Sequence, residues 1–297
     1  MGSAAYREIP AKSALTRVQG MPFEWSLNPY RGCEHACVYC YARDYFARMG
    51  RDPLRGFDRE IEVKINVASL LRDELRRGRA SGTVAIGTGT DPYQQCEGRY
   101  RLTRACLEAF AERPLPLVLI TKGTLIVRDV DVLASISERV EVRVFFSIGS
   151  VDPAISRSLE PSAPPPAKRL VALQRLRAAG IRASVICAPI VPGLSDSEAS
   201  IAAVAEAAHA HGSWTFASRI LKLDPGVRPG YLDYIAETFP ALYPRYLARY
   251  AGVKLDPAYA EAIEARVERA SARFRFPAED EPEAVEVEED EQLRLAI

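Results

Sequence analysis

The chain has 297 residues, of which 48% are hydrophobic and 26% are charged, an ordinary composition for a soluble globular protein. This length can bury one substantial core, and no apolar run approaches the roughly 20 residues that a membrane-spanning helix needs. The N-terminus lacks the pattern of an export signal, so we expect a cytoplasmic protein with no membrane partner. Six cysteines in such a chain favour metal or redox chemistry over a disulfide framework.

The charge is unevenly distributed, although the 39 basic and 39 acidic residues cancel. Residues 279–291 contain nine acids and no base, whereas residues 1–278 carry 38 bases and 30 acids, a net charge of about +8. A block of like charge repels itself, so we predict a disordered acidic tail over residues 277–297. This tail is either plainly solvated or competes with an anionic ligand for the basic body.

After a polar N-terminal arm over residues 1–22, segments with the apolar pattern of strands alternate with segments that have helical periodicity. The first predicted strand, at residues 23–27, runs into a cysteine-rich loop. Further strands are predicted at residues 83–87, 117–121, 140–148, 181–190 and 215–223. Helices are predicted at residues 41–49, 67–77, 102–112, 130–138, 165–179 and 197–209, and residues 60–66 alternate between apolar and charged. Helical stretches at residues 231–250 and 257–274 lack strand partners, and we expect them to pack across the open side of the fold.

About six strand–helix units with short connections predict an α/β fold with a parallel sheet and right-handed crossovers. Six units are fewer than the eight of a full barrel, so the pattern favours an open, partial (β/α)6 barrel over residues 23–226. A doubly wound sheet is the competing topology. A helical extension then covers residues 227–276. In either topology the chemistry belongs in loops at the carboxyl ends of the strands, where the cysteine-rich loop also lies.

Three cysteines lie in this one short loop with the spacing C-x3-C-x2-C, namely Cys33, Cys37 and Cys40. The spacing brings three thiolates to one side of a turn and provides no nearby fourth. Three thiolates can hold three irons of a cubane cluster and leave the last iron open to a ligand from outside the protein, as reactive metal sites do. The alternatives are a zinc site completed by His35 or a distant cysteine, and three unrelated thiols.

The residues around the cysteines resemble the signature of the radical S-adenosylmethionine (SAM) enzymes, including the aromatic Tyr39 just before the third cysteine. The run N-P-Y-R-G-C-E-H-A-C-V-Y-C-Y-A-R from Asn28, and G-T-G-T-D-P-Y-Q from Gly87, are similar to the spore photoproduct lyase-like branch of that superfamily. The resemblance covers roughly residues 26–223, in order. It implies a partial (β/α)6 barrel, a four-iron, four-sulfur (4Fe-4S) cluster held by the three cysteines, and bound SAM.

The loop at residues 87–92 follows the second repeat's strand. Its glycines let backbone approach a ligand closely, and its hydroxyls can bind polar groups. The resemblance implies that Thr90 contacts the SAM amino group, and we include Thr88, Gly89 and Asp91 among the cofactor-binding candidates. A tight turn with an Asp-Pro stop is the alternative.

Later strand ends provide five more candidates for the SAM site. The resemblance implies that Lys122 contacts the SAM carboxylate and that Ser147 also contacts SAM. Glu160 suits the ribose diol, and Arg169 follows it on the next helix. Ile190 leaves the fifth strand and would put apolar backbone against adenine. The alternatives are a solvated lysine, a surface salt bridge and a simple strand-ending turn.

Tyr39 and Tyr41 flank the third cysteine. In spore photoproduct lyase, tyrosines flank the matching cysteine and one relays a hydrogen atom, so the resemblance implies Tyr41 as a relay and Tyr39 packed near the cofactor. Shielding of the cluster from water is the alternative. The lyase also donates a hydrogen from a cysteine whose counterpart here is Thr88, which has too strong an O–H bond for that task. Cys96 in the same loop could substitute, or could be a buried apolar residue.

The resemblance implies an enzyme that takes one electron from a flavodoxin- or ferredoxin-type reductant and cleaves SAM to methionine and a 5′-deoxyadenosyl radical. The basic body and the lyase-like loops favour a nucleic acid substrate, a damaged or modified base, and hence DNA repair. The candidate contacts, which solvated helix faces also explain, are Arg72, Arg76, Arg77, Arg79, Arg99, Arg101 and Arg104. The alternatives are radical modification of a protein or small metabolite, and a non-catalytic iron–sulfur electron-transfer or sensor protein.

Overall fold

The computed structural model describes residues 4–277. Its strands are β1 (Ala5–Ile9), β2 (Leu15–Arg17), β3 (Trp25–Leu27), β4 (Tyr30–Arg31), β5 (Glu60–Lys64), β6 (Val84–Ile86), β7 (Leu117–Thr121), β8 (Val142–Ser147), β9 (Arg182–Ile190) and β10 (Phe216–Ile220). Its α-helices are α1 (Arg43–Arg48), α2 (Val67–Arg76), α3 (Glu97–Tyr100), α4 (Leu102–Glu112), α5 (Val130–Ser137), α6 (Pro153–Leu159), α7 (Pro166–Ala178), α8 (Glu198–Ala210), α9 (Arg228–Thr238), α10 (Tyr243–Arg249) and α11 (Pro257–Ser271). A 3₁₀ helix at Thr124–Asp129 precedes α5.

Six parallel strands form the main sheet in the same order as they occur in the chain. The sheet runs β3, β6, β7, β8, β9, β10, and β2 adds an antiparallel edge beside β3. Because each crossover moves in the same direction and such crossovers are right-handed, the connecting helices lie on one face and the sheet curls into an open barrel. The order never reverses, as it would in a doubly wound sheet. The predicted partial (β/α)6 barrel is therefore confirmed, and the doubly wound alternative is wrong.

The barrel strands consist largely of buried apolar residues. Strand β6 is buried along its whole length, and Val142, Val144 and Phe146 of β8 lie in the core. Such continuous or alternating apolar runs are typical of parallel strands covered by helices. The predictions over residues 102–112 and 117–121 coincide with α4 and β7, while the other barrel elements differ by a few residues at their ends.

The N-terminal arm, predicted only as polar, contributes two strands. Strand β1 pairs in parallel with β5, which also pairs with β4 to form a separate three-stranded sheet. Strand β2 joins the edge of the barrel sheet. Its start is fixed by Glu74, whose carboxylate accepts the backbone N–H groups of Ala14 and Leu15 at 2.9 and 3.0 Å. A distant buried carboxylate thus orders a segment whose own sequence shows little pattern.

The C-terminal helices pack beside β10, the strand at the open edge of the barrel. The hydroxyl of Tyr246 donates to the carbonyl of Pro192 at 2.9 Å, and that of Tyr250 donates to the carbonyl of Leu221 at 2.9 Å. The stretch predicted as one helix over residues 231–250 is two helices, α9 and α10. Pro240 separates them because proline lacks the N–H that would continue the first helix.

Among residues 4–277, no helix combines the length and the apolar character that crossing a bilayer requires. The predicted acidic tail lies, apart from residue 277, outside the described residues.

Candidate functional site

The three thiols of the cysteine loop, residues 32–41, are all free, with Cys33 and Cys37 buried and Cys40 half-buried. Burial raises the pKa of each thiol, that of Cys37 to about 12, and the other cysteines of the loop add repulsion to both Cys33 and Cys37. Thiolates are the form that binds metal, and a bound metal deprotonates its thiol ligands. Three adjacent, buried and unpaired thiols are a donor set that fits an iron–sulfur cluster.

The backbone of the loop is folded so that the thiols share one turn. Gly32 has a φ of +81°, and a Cβ there would come within 2.7 Å of the Phe57 carbonyl, so the position requires glycine. The next N–H, of Cys33, donates to the same carbonyl at 2.9 Å. Ala36 also has a left-handed conformation, with a φ of 55°. Such a strained backbone at a non-glycine position is typical of functional loops.

The histidine of the loop is directed away from a zinc-like arrangement. His35 Nδ1 lies 3.2 Å from Asp91 Oδ2. Within residues 4–277, no three His, Cys, Asp or Glu side chains are grouped so that they could hold a single metal ion. Three thiols that bind different irons of a cubane do not need to converge on one ion. His35 is therefore engaged by a carboxylate, and the three free thiols remain a donor set that a cubane cluster can use.

Thr90, the predicted contact of the SAM amino group, holds the cysteine loop in place. Its hydroxyl donates to the Gly32 carbonyl at 2.5 Å and accepts from Gln94 Nε2 at 2.8 Å. Gln94 Nε2 also donates to the same carbonyl at 3.1 Å. A hydroxyl has two lone pairs, so one acceptor position of Thr90 remains for an amine. Its role toward SAM stays a prediction that this geometry permits.

Asn28 clamps the predicted cofactor loop and was not among the predicted site residues. Its Oδ1 accepts the Gly89 N–H at 2.8 Å, and its Nδ2 donates to Ser26 Oγ at 2.9 Å. Ser26 Oγ in turn lies 2.6 Å from Thr88 Oγ1. The Thr88 hydroxyl is thus already hydrogen-bonded by side chains of the first repeat. Asn28 belongs to the N-P-Y-R-G-C run, so the sequence contained the signal but not the role.

Asp91 orders the site through contacts with protein groups. Its Oδ1 accepts from Thr121 Oγ1 at 2.7 Å and from the Tyr93 N–H at 2.9 Å, and its Oδ2 accepts from the Lys122 N–H at 2.7 Å. Burial opposes ionisation of Asp91, but the neighbouring His35 and these hydrogen bonds outweigh it and hold the pKa of the carboxyl below its usual range. The carboxylate therefore joins the loop after β6 to the end of β7 and to the cysteine loop.

Four of the predicted residues form one buried charged network beside Cys37. The Tyr39 hydroxyl and the Arg169 guanidinium both donate to the Glu160 carboxylate. Lys122 Nζ lies 3.9 Å from Glu160 Oε1 and 5.6 Å from the centroid of the Tyr39 ring. Burial lowers the pKa of Lys122, but its interactions with the acidic groups of Cys37 and Glu160 outweigh this and raise that pKa above the ordinary value. Two cations face one carboxylate, so the network leaves positive charge next to the cysteine loop.

Strands β8 and β9 complete the walls of this region. Arg169 Nη1 donates to the Ser147 carbonyl at 2.8 Å, and Ser147 Oγ donates to the Ala188 carbonyl at 2.7 Å. The Ile190 side chain is fully buried and its carbonyl accepts the Leu221 N–H at 3.0 Å. A cleft opens between the cysteine loop and these strand ends, and residues from both line it, among them Tyr39, Gly149, Ser150, Glu160 and Pro189.

The two hydrogen-transfer candidates lie in different surroundings. The side chain of Tyr41 is 38% exposed, and its hydroxyl donates to the Thr88 carbonyl. Cys96 is 1% exposed, and its N–H donates to Glu34 Oε2 at 2.7 Å. Burial, followed by the Glu34 carboxylate, raises the pKa of the Cys96 thiol. Tyr41 is thus partly exposed to solvent. Cys96 is enclosed in the core, which agrees with the alternative interpretation of Cys96 as a buried apolar residue.

The family model of the radical SAM superfamily matches residues 27–204. An uncharacterized protein of Mycobacterium tuberculosis is 37% identical over 288 residues, which are 95% of this chain and 85% of that protein. A radical SAM Nalpha-GlyT isomerase of Pseudomonas phage M6 is 26% identical over 167 residues, which are 56% of this chain and 33% of that protein.

Among solved structures, a variant of spore photoproduct lyase matches with a TM-score of 0.71 at 15% identity, over 92% of this chain and 80% of that chain. Another variant, with bound AdoMet and dinucleoside spore photoproduct, matches over the same shares with a TM-score of 0.69 at 15% identity. At this identity the likeness shows the fold. The family match shows that the chain is an enzyme of the radical SAM superfamily, and the structural likeness shows that it shares its fold with spore photoproduct lyase.

Proposed function

We propose that this enzyme reductively cleaves SAM at a 4Fe-4S cluster on Cys33, Cys37 and Cys40 and uses the radical to abstract hydrogen from a nucleic acid base. Membership in the superfamily implies both the cluster and SAM. When bound, they supply the one-electron cleavage that yields methionine and a 5′-deoxyadenosyl radical. The observation that carries the proposal is the network of Tyr39, Lys122, Glu160 and Arg169 beside Cys37.

The network is suited to bind a zwitterionic ligand. Lys122 retains a charged ammonium that is only partly covered, with 16% of its side chain exposed, and a carboxylate is its natural partner. The Glu160 carboxylate, held by Arg169, is the acceptor available to the ribose hydroxyls. The remaining lone pair of Thr90 faces the amine in this proposal. Each group is fixed by a second protein contact, so little reordering would be needed when SAM binds.

The residues around the cleft also restrict what a radical could attack. Tyr39 and Ile190 are buried, and their burial keeps water from the cluster side of the cleft. Tyr41 is the group positioned to pass a hydrogen atom from its hydroxyl, since that oxygen is fixed against Thr88 at the open side. In this proposal the substrate approaches from that side, and a flavodoxin- or ferredoxin-type protein supplies the electron.

Two considerations support a nucleic acid substrate. The fold is that of spore photoproduct lyase, which has been solved in complex with dinucleoside spore photoproduct. The sequence without its acidic tail is also basic. These considerations favour a base or nucleoside over a protein or a small metabolite.

The positions and ion pairs of the candidate arginines reduce the number that we propose as nucleic acid contacts. Arg76 and its neighbours at the end of α2 precede β6, so they lie at the amino ends of the strands, opposite the candidate site. Two others are already paired on the outer helices. Arg72 lies 3.0 Å from the Glu112 carboxylate. Arg104 lies 3.1 Å from Glu108 and 2.8 Å from Asp131. Arg99 and Arg101 are exposed in the segment after β6, on the same side as the cysteine loop. Among the candidate arginines, these are the two contacts that we retain.

The first experiment tests the radical chemistry. Anaerobic reconstitution with iron and sulfide should give the broad visible absorbance of a 4Fe-4S cluster, and reduction with SAM should release 5′-deoxyadenosine. Cys37→Ala should abolish this release, whereas the matched change Cys187→Ala, in the core of β9, should preserve it. Release of 5′-deoxyadenosine by the Cys37 variant would contradict the assignment.

The second experiment tests the substrate. Reduced enzyme is incubated with SAM and DNA that carries deuterium on its bases, either irradiated with ultraviolet light or left intact. We expect deuterium in the recovered 5′-deoxyadenosine and a strand whose modification changes with turnover. Deuterium transfer from neither DNA sample, in enzyme that cleaves SAM, would contradict the nucleic acid assignment and leave a protein or metabolite as the substrate class.

A further inference from the structure

A second cleft, which we call the α10 cleft, lies between the loop after β9 and helices α10 and α11. It is a small cleft, open to solvent, with an interior volume of about 30 Å³. Its polar and aromatic lining consists of Arg245, Tyr246, Arg249, Tyr250 and Tyr259, and Pro192 and Gly193 form its edge. None of these residues belongs to the network beside the cysteine loop.

The tyrosine hydroxyls of the α10 cleft are already used by the protein. Tyr246 donates to the Pro192 carbonyl at 2.9 Å, Tyr250 to the Leu221 carbonyl at 2.9 Å, and Tyr259 to Asp196 Oδ2 at 2.5 Å. Tyr246 and Tyr250 are buried and stack on each other, and the Tyr259 ring is covered by Arg249, so the rings form the floor of the cleft. The donors left for a ligand are those of the two arginines.

Arg249 carries an unsatisfied donor in this cleft. Its Nη1 is buried and has no hydrogen-bond partner within residues 4–277. Its guanidinium carbon lies 3.4 Å from the centroid of the Tyr259 ring, so the group stacks on the ring and its N–H edges remain available. A buried charged donor without a partner is costly, which makes it a signal for a missing anionic acceptor.

The charge of the α10 cleft is positive. Arg245 is exposed and makes no ion pair among the described residues, and no acidic side chain lines the cleft. The carboxylate behind Tyr259, that of Asp196, lies 3.5 Å from Arg266 and is balanced by it. Two arginines thus face the same space without a counter-ion. Paired guanidinium groups are the preferred partners of phosphate, which they bind in a bidentate manner.

The α10 cleft lies close to the candidate SAM site. Pro189 lines the cleft beside Glu160, and Pro192, three residues later, lines the α10 cleft. Three residues of extended chain span at most about 11 Å. A polymer whose reacting base enters the first cleft can therefore place a neighbouring nucleotide in the second.

We propose that the α10 cleft binds a backbone phosphate of the nucleic acid substrate through Arg245 and Arg249. This inference rests on the proposed function and names the contact that holds its substrate. Basic side chains that pair with backbone phosphates are a regular part of single-strand nucleic acid sites. An acidic peptide would also satisfy the arginines, but the α10 cleft lies within about 11 Å of the cleft beside Glu160, which favours a phosphate of the substrate bound there.

The test is the salt dependence of oligonucleotide binding by the reconstituted full-length enzyme. Fluorescence anisotropy with a labelled single-stranded oligonucleotide is measured over a range of salt concentrations. In the double variant Arg245→Ala/Arg249→Ala we expect at least about tenfold weaker binding. The slope of log affinity against log salt should become less steep by roughly 0.7 for each phosphate that the variant no longer neutralises.

Two further variants make the result specific. Arg77→Ala/Arg79→Ala removes the same charge from exposed positions near the end of α2, and it should leave affinity, salt slope and SAM cleavage unchanged. Arg249→Lys keeps the charge but loses the planar donors, and it should fall between the wild type and the double variant. Urea unfolding verifies that each variant folds. Equal losses in the two double variants, or an unchanged salt slope in the cleft variant, would overturn the proposal, as would tighter Arg249-dependent binding of an acidic peptide.

Binding and turnover separate this inference from the proposed function. If the wild type binds the oligonucleotide through Arg249 but transfers no hydrogen from it, the proposed function fails and the phosphate site stands. If the enzyme turns over nucleic acid with the same KM in the wild type and the cleft variant, the phosphate site fails and the function stands.

Discussion

Asp44 Oδ1 accepts a hydrogen bond from the Gly226 N–H at 2.9 Å and so joins α1 to the loop after β10, although 182 residues separate the two in the chain. Helix α1 directly follows the cysteine loop, and β10 is the free edge of the open barrel. A Cβ on Gly226 would lie 2.6 Å from the Asp44 Cα, so the two backbones meet directly. This contact closes the barrel mouth around the cysteine loop.

Asp44→Ala should open this closure. The Gly226 N–H would lose its acceptor, and we expect a loss of roughly 1–3 kcal/mol in the free energy of unfolding. Hydrogen exchange should become faster at residues 222–228, and the reconstituted cluster should decay sooner in air. Arg48→Ala is the control because it removes only the partner of Asp44 Oδ2 at 2.7 Å. Equal exchange rates in the two variants would show that the contact does not close the mouth.

Lys122→Met should weaken SAM binding while the cluster still assembles. The change removes the ammonium beside Glu160, and the loss of one charge-assisted hydrogen bond corresponds to roughly tenfold or more in affinity. SAM affinity is measured by equilibrium binding to the reconstituted, unreduced enzyme. Lys168→Met, on the exposed face of α7, is the matched control and should not differ from the wild type. Unaltered SAM affinity in Lys122→Met would remove Lys122 from the proposed site.

The barrel could be predicted from the sequence because its signals are local. Each strand is a short apolar run, each crossover helix is periodic, and their alternation with short connections leaves few topologies. The strand predicted at residues 117–121 needs only its own composition to be recognised. The N-terminal strands could not be found in this way, since Glu74, about 60 residues away, supplies the acceptors that fix β2.

The site could be predicted only in part. The spacing of Cys33, Cys37 and Cys40 marks them as ligands, and the resemblance supplied Lys122 and Ser147. The supporting residues Asn28 and Gln94 stand in the runs that carry the resemblance, but the sequence did not reveal their role. Asn28 and Gln94 act on loops about 60 residues distant, and neutral amides have no spacing that marks this task. The fold alone brings these amides to the loops that they hold.

Tyr41→Phe tests the hydrogen relay. The phenylalanine keeps the ring, which packs edge to face on Tyr45 with centroids 6.3 Å apart, and removes the hydroxyl held by Thr88. We expect SAM cleavage without substrate to continue, while product formed per 5′-deoxyadenosine falls by roughly tenfold or more, within the usual range for a lost proton- or hydrogen-transfer group. Tyr45→Phe is the control with the neighbouring ring. An unchanged ratio in the Tyr41 variant would assign that residue to shielding alone.

Glu62 gives the clearest pH dependence away from the cysteine loop. It is buried, and its carboxylate contacts Arg7, Arg31 and Arg51 across the small sheet. Burial raises its pKa, but the hydrogen bonds from Arg7 and Arg31 and the charge of Arg51 outweigh this and lower the pKa below 4.5. A lowered pKa means that the unfolded chain binds the proton more readily. The carboxylate therefore stabilises the fold above about pH 4.5, and this contribution is lost as the pH falls through the folded-state pKa.

Glu62→Gln should therefore lower the free energy of unfolding by roughly 1–2 kcal/mol near neutral pH and by progressively less in acid. The value is modest because the arginine partners are partly exposed to solvent. Urea unfolding of cluster-free protein from about pH 7 to about pH 3.5 measures the difference from the wild type, without a contribution from cluster loss. Glu60→Gln, at a side chain that is 62% exposed and paired only with Arg51 among the described residues, should show little pH dependence. The difference in unfolding free energy between the wild type and Glu62→Gln could instead stay constant in acid. The three arginines would then not act through the ionised carboxylate, and the backbone hydrogen bonds alone would hold β1 to β5.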